Sequence, residues 1–487
     1  METLRRALGN SALMLMSQAI TWISTLVLTG ALGSHLGDAG FGNLYLAMSF
    51  AAIAGLLVDF GLNEQLVREI ARDRELAGRY LVNAVSIKIG LAVAAYLLTL
   101  AIARVLGYPS ELRLVIAIFC LILLVNALGA TLAALGRGIE YVLPASTALI
   151  VEKVFVTAVA IALLYRGYGI ASVAAVFVAG ALLNTTWQAF HLRRRIAFSG
   201  TVERRTMGLL VKGALPFLAY WVLGAVYYRV DIVLLSKLST PAVVGWYSAA
   251  YRLFDTLFFL PGIVSGAVLL PILSRMSTVS RGQLRLAIGK GLDTLLLLGV
   301  PICTGLFVLA EPILQFIYRR PEFLNAAPAL RWLAIALILV YANSVLATVL
   351  ISINREGKLA LIPGFATVVN VVLNLLLIPR YHHLAAAAVT TATECIIFGS
   401  LLLCLPADLR PRRSLLVLAK AMGASLAMVL ALYMLQGQSL PVSIVLGGLV
   451  YCLAALALRL VPLQDLRLLR SALTRRGGVG HAETMGD

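Results

Sequence analysis

Residues 227–239, YYRVDIVLLSKLS, place an arginine and an aspartate two positions apart inside a segment that otherwise reads as a membrane span. On an isolated helix in lipid, each charge would cost about 2.5–3.5 kcal/mol on insertion scales. Such residues persist where their faces meet protein or enclosed water, so the stretch predicts a helical bundle with a polar interior. The composition around it agrees. The chain of 487 residues is 61% hydrophobic and 13% charged, with a mean hydropathy of +0.95. Soluble domains carry about a quarter charged residues, and apolar runs of about 20 residues mark spanning helices.

Apolar segments fall near 11–33, 40–61, 80–103, 114–135, 143–165, 169–190, 213–236, 241–270, 290–310, 328–352, 359–379, 384–405, 414–435 and 441–458. These make about fourteen spans. Basic residues collect in alternate connections: Arg68 to Arg79 after the second span, Arg193 to Lys212 after the sixth, Arg275 to Lys290 after the eighth, and Arg410 to Arg413 after the twelfth. The intervening SHLGDAG and QGQSL carry no lysine or arginine. The positive-inside rule then places both termini in the cytoplasm. The net charge of +18 is read as topogenic, which removes nucleic acid as a partner. The first apolar run is longer than the 7–15 residues of a signal-peptide core, so it is read as a span. The five cysteines lie in apolar segments without disulfide or zinc-ligand spacing and are read as small core residues.

The expected fold is all-α and polytopic. It divides into a six-helix lobe at 1–192, a basic cytoplasmic linker at 193–212, a second six-helix lobe at 213–405, two additional spans at 406–458 and a basic amphipathic tail at 459–487. Leu463, Leu466, Leu469 and Leu473 recur at helical spacing in that tail, as on a helix lying on an anionic leaflet. The halves are faintly self-similar. GFGNLYLA opens the second span and VVGWYSAA the eighth, so Gly42 corresponds to Gly245; YRGYGIASVAAV and PRYHHLAAAAVT make a second pair. Parallel repeats about an axis normal to the membrane are a transporter design, with the substrate site at the repeat interface.

Three stretches resemble the Wzx-type polysaccharide repeat-unit flippases of the multidrug/oligosaccharidyl-lipid/polysaccharide exporter superfamily. They are LGDAGFGNLYLAMSFAAIAGLLVDFGLNEQLVREIAR at 36–72, YYRVDIVLLSKLSTPAVVGWYSAAYRLFD at 227–255 and VVNVVLNLLLIPRYHHLAAAAVTTATE at 368–394. The resemblance implies a V-shaped pair of lobes working by alternating access. It implies a cargo of lipid-linked oligosaccharide, such as O-antigen units on undecaprenyl diphosphate, moved to the outer leaflet of a bacterial inner membrane. Membrane lipids, a polysaccharide polymerase and other assembly proteins are the partners it implies. Asp231, Asn370 and Asn374 carry over from the family pattern. One departure stands out: the family favours glycine after the tyrosine of the outer turn, where this chain has His382 and His383.

The deep charges carry the functional reading. Arg229 and Arg252 lie about eleven and twelve residues from the turn near Pro241, roughly 16–18 Å into the membrane. With Lys88 and Lys153 they form a set of deep cations drawn from both halves, which suits a diphosphate held in a wet cavity. Arg252 and Asp255 share a helix face. Gln18, Tyr227 and Tyr228 are candidates for contact with sugar. Asp231, Asp255, Glu152, Glu394, Asn370 and Asn374 are candidates for coupling to a proton or sodium ion, or for gating. No metal or cofactor is implied, and GxxxxGK[ST] is absent. The rivals are a drug or ion-coupled exporter of the same superfamily and a membrane polymerase or glycosyltransferase. The first calls for an acidic site and the second for acidic residues on sizeable outer loops. The longest outer connection, EPILQFIYRRPEFLNAAP, holds only Glu311 and Glu322. HExxH and GxSxG are absent too.

Overall fold

The computed structural model describes residues 2–196, 200–353, 355–411, 413–435 and 437–460. Side chains are described from Ser17 onward, except at 19, 216–226, 228, 259, 263, 267, 278, 356–358 and 360. Among the described residues every regular element is helical. This follows from the solvent: in hydrocarbon each backbone N–H and C=O must find a partner within its own segment or in a closed barrel. The fifth and sixth spans, Leu143–Tyr165 and Ile170–Leu192, have 23 residues each. That length rises about 34 Å, enough for a hydrocarbon core of about 30 Å.

Among the described residues eleven helices are long and apolar enough to cross a membrane. Two contain a pair of spans each. Glu2–Asp59 breaks at Gly37 (φ 69°, ψ −178°) and Glu356–Cys404 at His382 (φ 50°, ψ −130°). Counting these as pairs and adding the seventh span, Arg204–Leu238, recovers the fourteen segments expected. The chain is a multi-pass membrane protein. Both breaks fall at the turn of a hairpin, in backbone conformations that favour glycine. Histidine at the second is therefore strained, and its ring Nδ1 lies 3.0 Å from Ser239 Oγ. The eighth span, Pro241–Ile263, contains Pro261 and continues through a π-helical stretch, Val264–Leu269. Proline removes a backbone donor there, and the wider turn accommodates the loss. Of the cysteines, Cys120 and Cys303 are core residues, whereas Cys395 and Cys452 are exposed.

The chain forms two compact units. One runs to Thr256 and takes in Leu314–Leu333 and Gly357–Ile397; the other consists of Leu257–Ile313, Ala334–Glu356 and the chain from Phe398. The second unit packs the thirteenth and fourteenth spans, Ser414–Met434 and Leu440–Ala457, around Ala424, Met428, Leu432 and Tyr451. Tyr451 donates to the Leu297 carbonyl at 2.8 Å.

In the first unit the two sequence halves are closed together at the end that carries the Gly37 turn. A Cβ on Gly42 would sit 2.7 Å from the Gly245 nitrogen, and one on Gly245 would fall onto the Asp38 carbonyl group. Trp246 Nε1 donates to Asp38 Oδ2 at 3.0 Å, and Arg320 Nε to the Ser34 carbonyl at 2.6 Å. Tyr318 stacks on Phe323 at 4.4 Å, and both meet Phe41 edge-on.

Beyond the second span, Leu62–Arg72 buries Leu62, Leu66 and Ile70 against Leu132, Leu135 and Leu210. The linker is pinned by Asn83, buried on the third span (Ala77–Val105). Asn83 Nδ2 donates to the Thr201 carbonyl at 3.1 Å, and its Oδ1 accepts from the Glu203 N–H at 2.7 Å. Arg79 donates to Glu203, and this bond, helped by Thr206, holds the carboxyl below the usual carboxylate range. That link is present at neutral pH and disappears as the pH falls through the lowered value. The amphipathic tail expected at 459–487 lies, from residue 461 on, outside the described residues.

The glycine contact makes a direct prediction. Gly245→Val inserts side-chain atoms where Asp38 backbone already lies, at about 1–3 kcal/mol of overpacking. The closed outer end should lose about five- to a hundredfold in population. A cysteine placed at Met48 should then label faster with an outer, membrane-impermeant thiol reagent; unchanged labelling would show that the contact does not hold the outer end shut.

Candidate functional site

The first unit holds an open cavity of about 700 Å³ lined by spans two to six. Its polar lining comes from every wall. Asp59 and Asn63 lie at the end of the second span and the start of the helix after it, and Lys88 on the third. Asn126 is on the fourth (Ser110–Gly138), Glu152 and Lys153 on the fifth, and Asn184 and Gln188 on the sixth. Small residues admit the close packing that brings these walls together. A Cβ on Gly129 or Gly180 would overlap Thr185 or Val156.

The charges come in pairs. Lys88 is 1% exposed, and its Nζ donates to Asp59 Oδ1 at 2.7 Å and Asn63 Oδ1 at 2.6 Å. Lys153 Nζ donates to Glu152 Oε1 at 2.9 Å; the other carboxylate oxygen accepts from Asn184 Nδ2 at 2.8 Å. Gln188 Nε2 donates to Asn184 Oδ1 at 2.6 Å. A buried ammonium at 1% exposure is tenable only with such neighbours.

A second cavity of about 200 Å³ shares Met48, Lys153 and Phe177 with the first and is lined also by Thr25, Thr29, Tyr45 and Arg252. Arg252 differs from the other deep cations. Among the described residues it forms no salt bridge, and its Nε has no hydrogen-bond partner. Its guanidinium therefore has donors to spare in a space that also holds the Lys153 side chain.

Of the residues singled out from sequence, Lys88, Lys153 and Glu152 line the large cavity, and Lys153 and Arg252 the small one. Arg229 instead pairs with Asp255, Nη2 to Oδ2 at 3.0 Å, and lies over the Tyr251 ring. Gln18 is half-buried on the first span and lines neither cavity; the Tyr228 side chain is outside the described set. The remaining candidates form buried polar contacts. Asp231 accepts from the Tyr247 hydroxyl and from the Ile232 N–H. Tyr227 donates to Glu394 Oε1 at 2.9 Å and meets Thr393 Oγ1 at 3.0 Å. Asn374 Nδ2 donates to Asn370 Oδ1 at 2.9 Å. The residues that sequence reasoning passed over are Asp59, Asn63, Asn126, Asn184 and Gln188. Asp59 reads as a wet interfacial acid. The signal for the others is amides inside apolar spans, with Asn184 and Gln188 four apart on one face.

The family described as polysaccharide biosynthesis protein matches residues 7–277, more than half of the chain, and the chain belongs to that family. Its fold is shared with solved transporters. The lipid II flippase MurJ, in an inward closed conformation, aligns over 92% of this chain and 98% of its own at 18% identity and a TM-score of 0.72. An inward-facing multidrug resistance MATE family transporter of the MOP superfamily aligns over 79% and 93% at 16% identity and 0.64. A MOP superfamily transporter from Pyrococcus furiosus, described as having a binding pocket of reverse polarity, aligns over 84% and 95% at 14% identity and 0.58. No curated protein matches the chain. The architecture is thus that of the MOP superfamily transporters.

The asymmetric burial of the Lys88–Asp59 pair gives a test. Lys88 is 1% exposed and Asp59 31%, so losing the acid strands a buried cation, whereas losing the lysine leaves a partly wetted acid. Asp59→Asn should destabilise the protein by about 3 kcal/mol, and Lys88→Met by about 1 kcal/mol. Thermal unfolding in detergent measures both; the reverse order would mean that Lys88 is charged through some other partner.

Proposed function

We propose that this protein is a flippase that moves polyprenyl-diphosphate-linked oligosaccharide repeat units from the cytoplasmic to the outer leaflet of a bacterial inner membrane by alternating access. Both termini would be cytoplasmic. The observation that carries the reading is Arg252, a mid-membrane guanidinium without an ion pair among the described residues, sharing a cavity with Lys153. A guanidinium presents parallel donors matched to phosphate oxygens, and lysine adds a point charge. Family membership points toward a saccharide cargo, and the MurJ-like fold suits one carried on lipid. Lys88, whose charge is met by Asp59, and Arg229, met by Asp255, are secondary contacts that a substrate would engage by exchanging partners.

Outward movement of a diphosphate needs no nucleotide. Two negative charges leaving a negative interior gain about 4–5 kcal/mol per 100 mV if they cross the whole potential. Coupling to a proton or sodium ion is a further route. Buried carboxylates at Asp231 and Glu394, each bonded to a tyrosine, and the Asn370–Asn374 pair would carry it. A polysaccharide polymerase and other assembly proteins are the partners this role would bring.

Arg252→Gln and Lys153→Gln should each lower translocation of a lipid-diphosphate glycan at least tenfold in reconstituted vesicles, while insertion stays near wild type and Lys153→Gln loses no more than about 1 kcal/mol of stability, Glu152 keeping its bond from Asn184. An outer-leaflet accessibility assay reads the flux. Wild-type rates in both variants would remove the proposed phosphate site, and chemical conversion of the labelled lipid without relocation would make the protein an enzyme. Imposing an inside-negative potential of about 100 mV without an ion gradient should accelerate the wild type; acceleration by an ion gradient alone would assign the drive to coupling.

A further inference from the structure

The large cavity carries a chain of amides on its sixth-span wall, and the hydrogen bonds along it fix which atoms are left over. A carboxylate can only accept hydrogen bonds. Glu152 therefore forces Asn184 to turn its NH2 group inward, at 2.8 Å. The Asn184 carbonyl oxygen must then accept from the next donor, the NH2 group of Gln188, at 2.6 Å. The relay ends with Gln188, 3% exposed, presenting a carbonyl oxygen for which no hydrogen-bond partner exists among the described residues. Asn126 faces the same cavity from the fourth span. It is exposed in the middle of an apolar helix and makes no hydrogen bond among the described residues. The two helices meet closely beside it, with Thr185 Oγ1 3.4 Å from the Val125 carbonyl oxygen.

A buried amide oxygen that lacks a donor disfavours an anion and favours a neutral O–H or N–H group. Asn126 can both give and take. In the adjoining small cavity, which shares Lys153 with the large one, Lys153 and Arg252 are both donors, with Glu152 taking one Lys153 proton. We propose that the face formed by Gln188 and Asn126 is a sugar subsite, which takes hydroxyl or acetamido groups of the first residues of the glycan while the cations take the diphosphate. This rests on the flippase reading and deepens it. It moves sugar recognition from the first and seventh spans to the fourth and sixth. It also orients the cargo, with carbohydrate against the amide wall and phosphate against Arg252. A cavity of about 700 Å³ lies within the usual range for sites that enclose small ligands, about 300–1,000 Å³, so it holds a short stretch of glycan rather than a whole polymer.

Binding of two probes to the full-length protein in nanodiscs tests this: bare undecaprenyl diphosphate, and the same carrier bearing one N-acetylhexosamine. Wild type should bind the glycosylated carrier about tenfold or more tightly than the bare one. Gln188→Met and Asn126→Leu should each erase most of that gain and leave the bare carrier unchanged. Equal weakening of both carriers, or a Gln188→Met effect that depends on sodium and not on the sugar, overturns the subsite. Wild type that binds the bare carrier and gains nothing from the sugar overturns it too, with the flippase reading intact. Wild type that binds neither removes the flippase reading, and the subsite with it. If Gln188→Met does not fold, carriers whose sugar lacks one hydroxyl at a time replace it; identical affinities across that series also overturn the proposal.

Discussion

An ionised side chain in a hydrocarbon slab must meet a countercharge, a ring of hydrogen-bond partners or enclosed water. Most of what is distinctive in this molecule follows from that constraint. Lys88 lies almost wholly out of solvent because Asp59 and Asn63 meet it. Lys153 is held by Glu152, and Arg229 by Asp255. Each pair ties two neighbouring positions together, and Lys88 and Lys153 draw their pairs to the wall of one space. Arg252 breaks the pattern, and a charge left over among paired ones is where function has the strongest claim.

The same constraint shapes the uncharged parts. Amides inside apolar spans satisfy one another in chains, Gln188 to Asn184 to Glu152 on one side and Asn374 to Asn370 on the other. Tyrosine hydroxyls serve the buried carboxylates Asp231 and Glu394. Where side chains are small the helices approach closely, as at Gly42 and Gly245, and there backbone meets backbone, with Asp38 and Arg320 adding hydrogen bonds at the same seam. Membrane helices associate through such small-residue contacts because lipid gives apolar side chains no reason to leave it.

The loops obey water instead. Asn83 and Arg79 hold the linker to the third span through Thr201 and Glu203, so the start of the seventh span is fixed to the N-terminal half. At the turn between the eleventh and twelfth spans, His382 occupies a backbone conformation suited to glycine. Its hydrogen bond to Ser239 is one compensation for that strain.

Length, hydropathy and the alternation of arginine determined the helical class, the number of spans and the hairpin breaks, because lipid imposes those features segment by segment, without reference to the rest of the chain. The same reasoning found the deep charges, since any arginine or lysine within an apolar run is conspicuous. It did not find their partners. Arg252 shares a helix face with Asp255, yet Asp255 is taken by Arg229, and Asp59 reads as interfacial until Lys88 reaches it. Spacing along one helix says which residues share a face, but not which neighbouring helix that face meets. The choice of partners, the division of Lys153 and Arg252 from Arg229, and the Asn126–Gln188 wall were decided by tertiary packing. Pairing depends on distances of a few ångströms between segments far apart in sequence, and only the assembled bundle sets them.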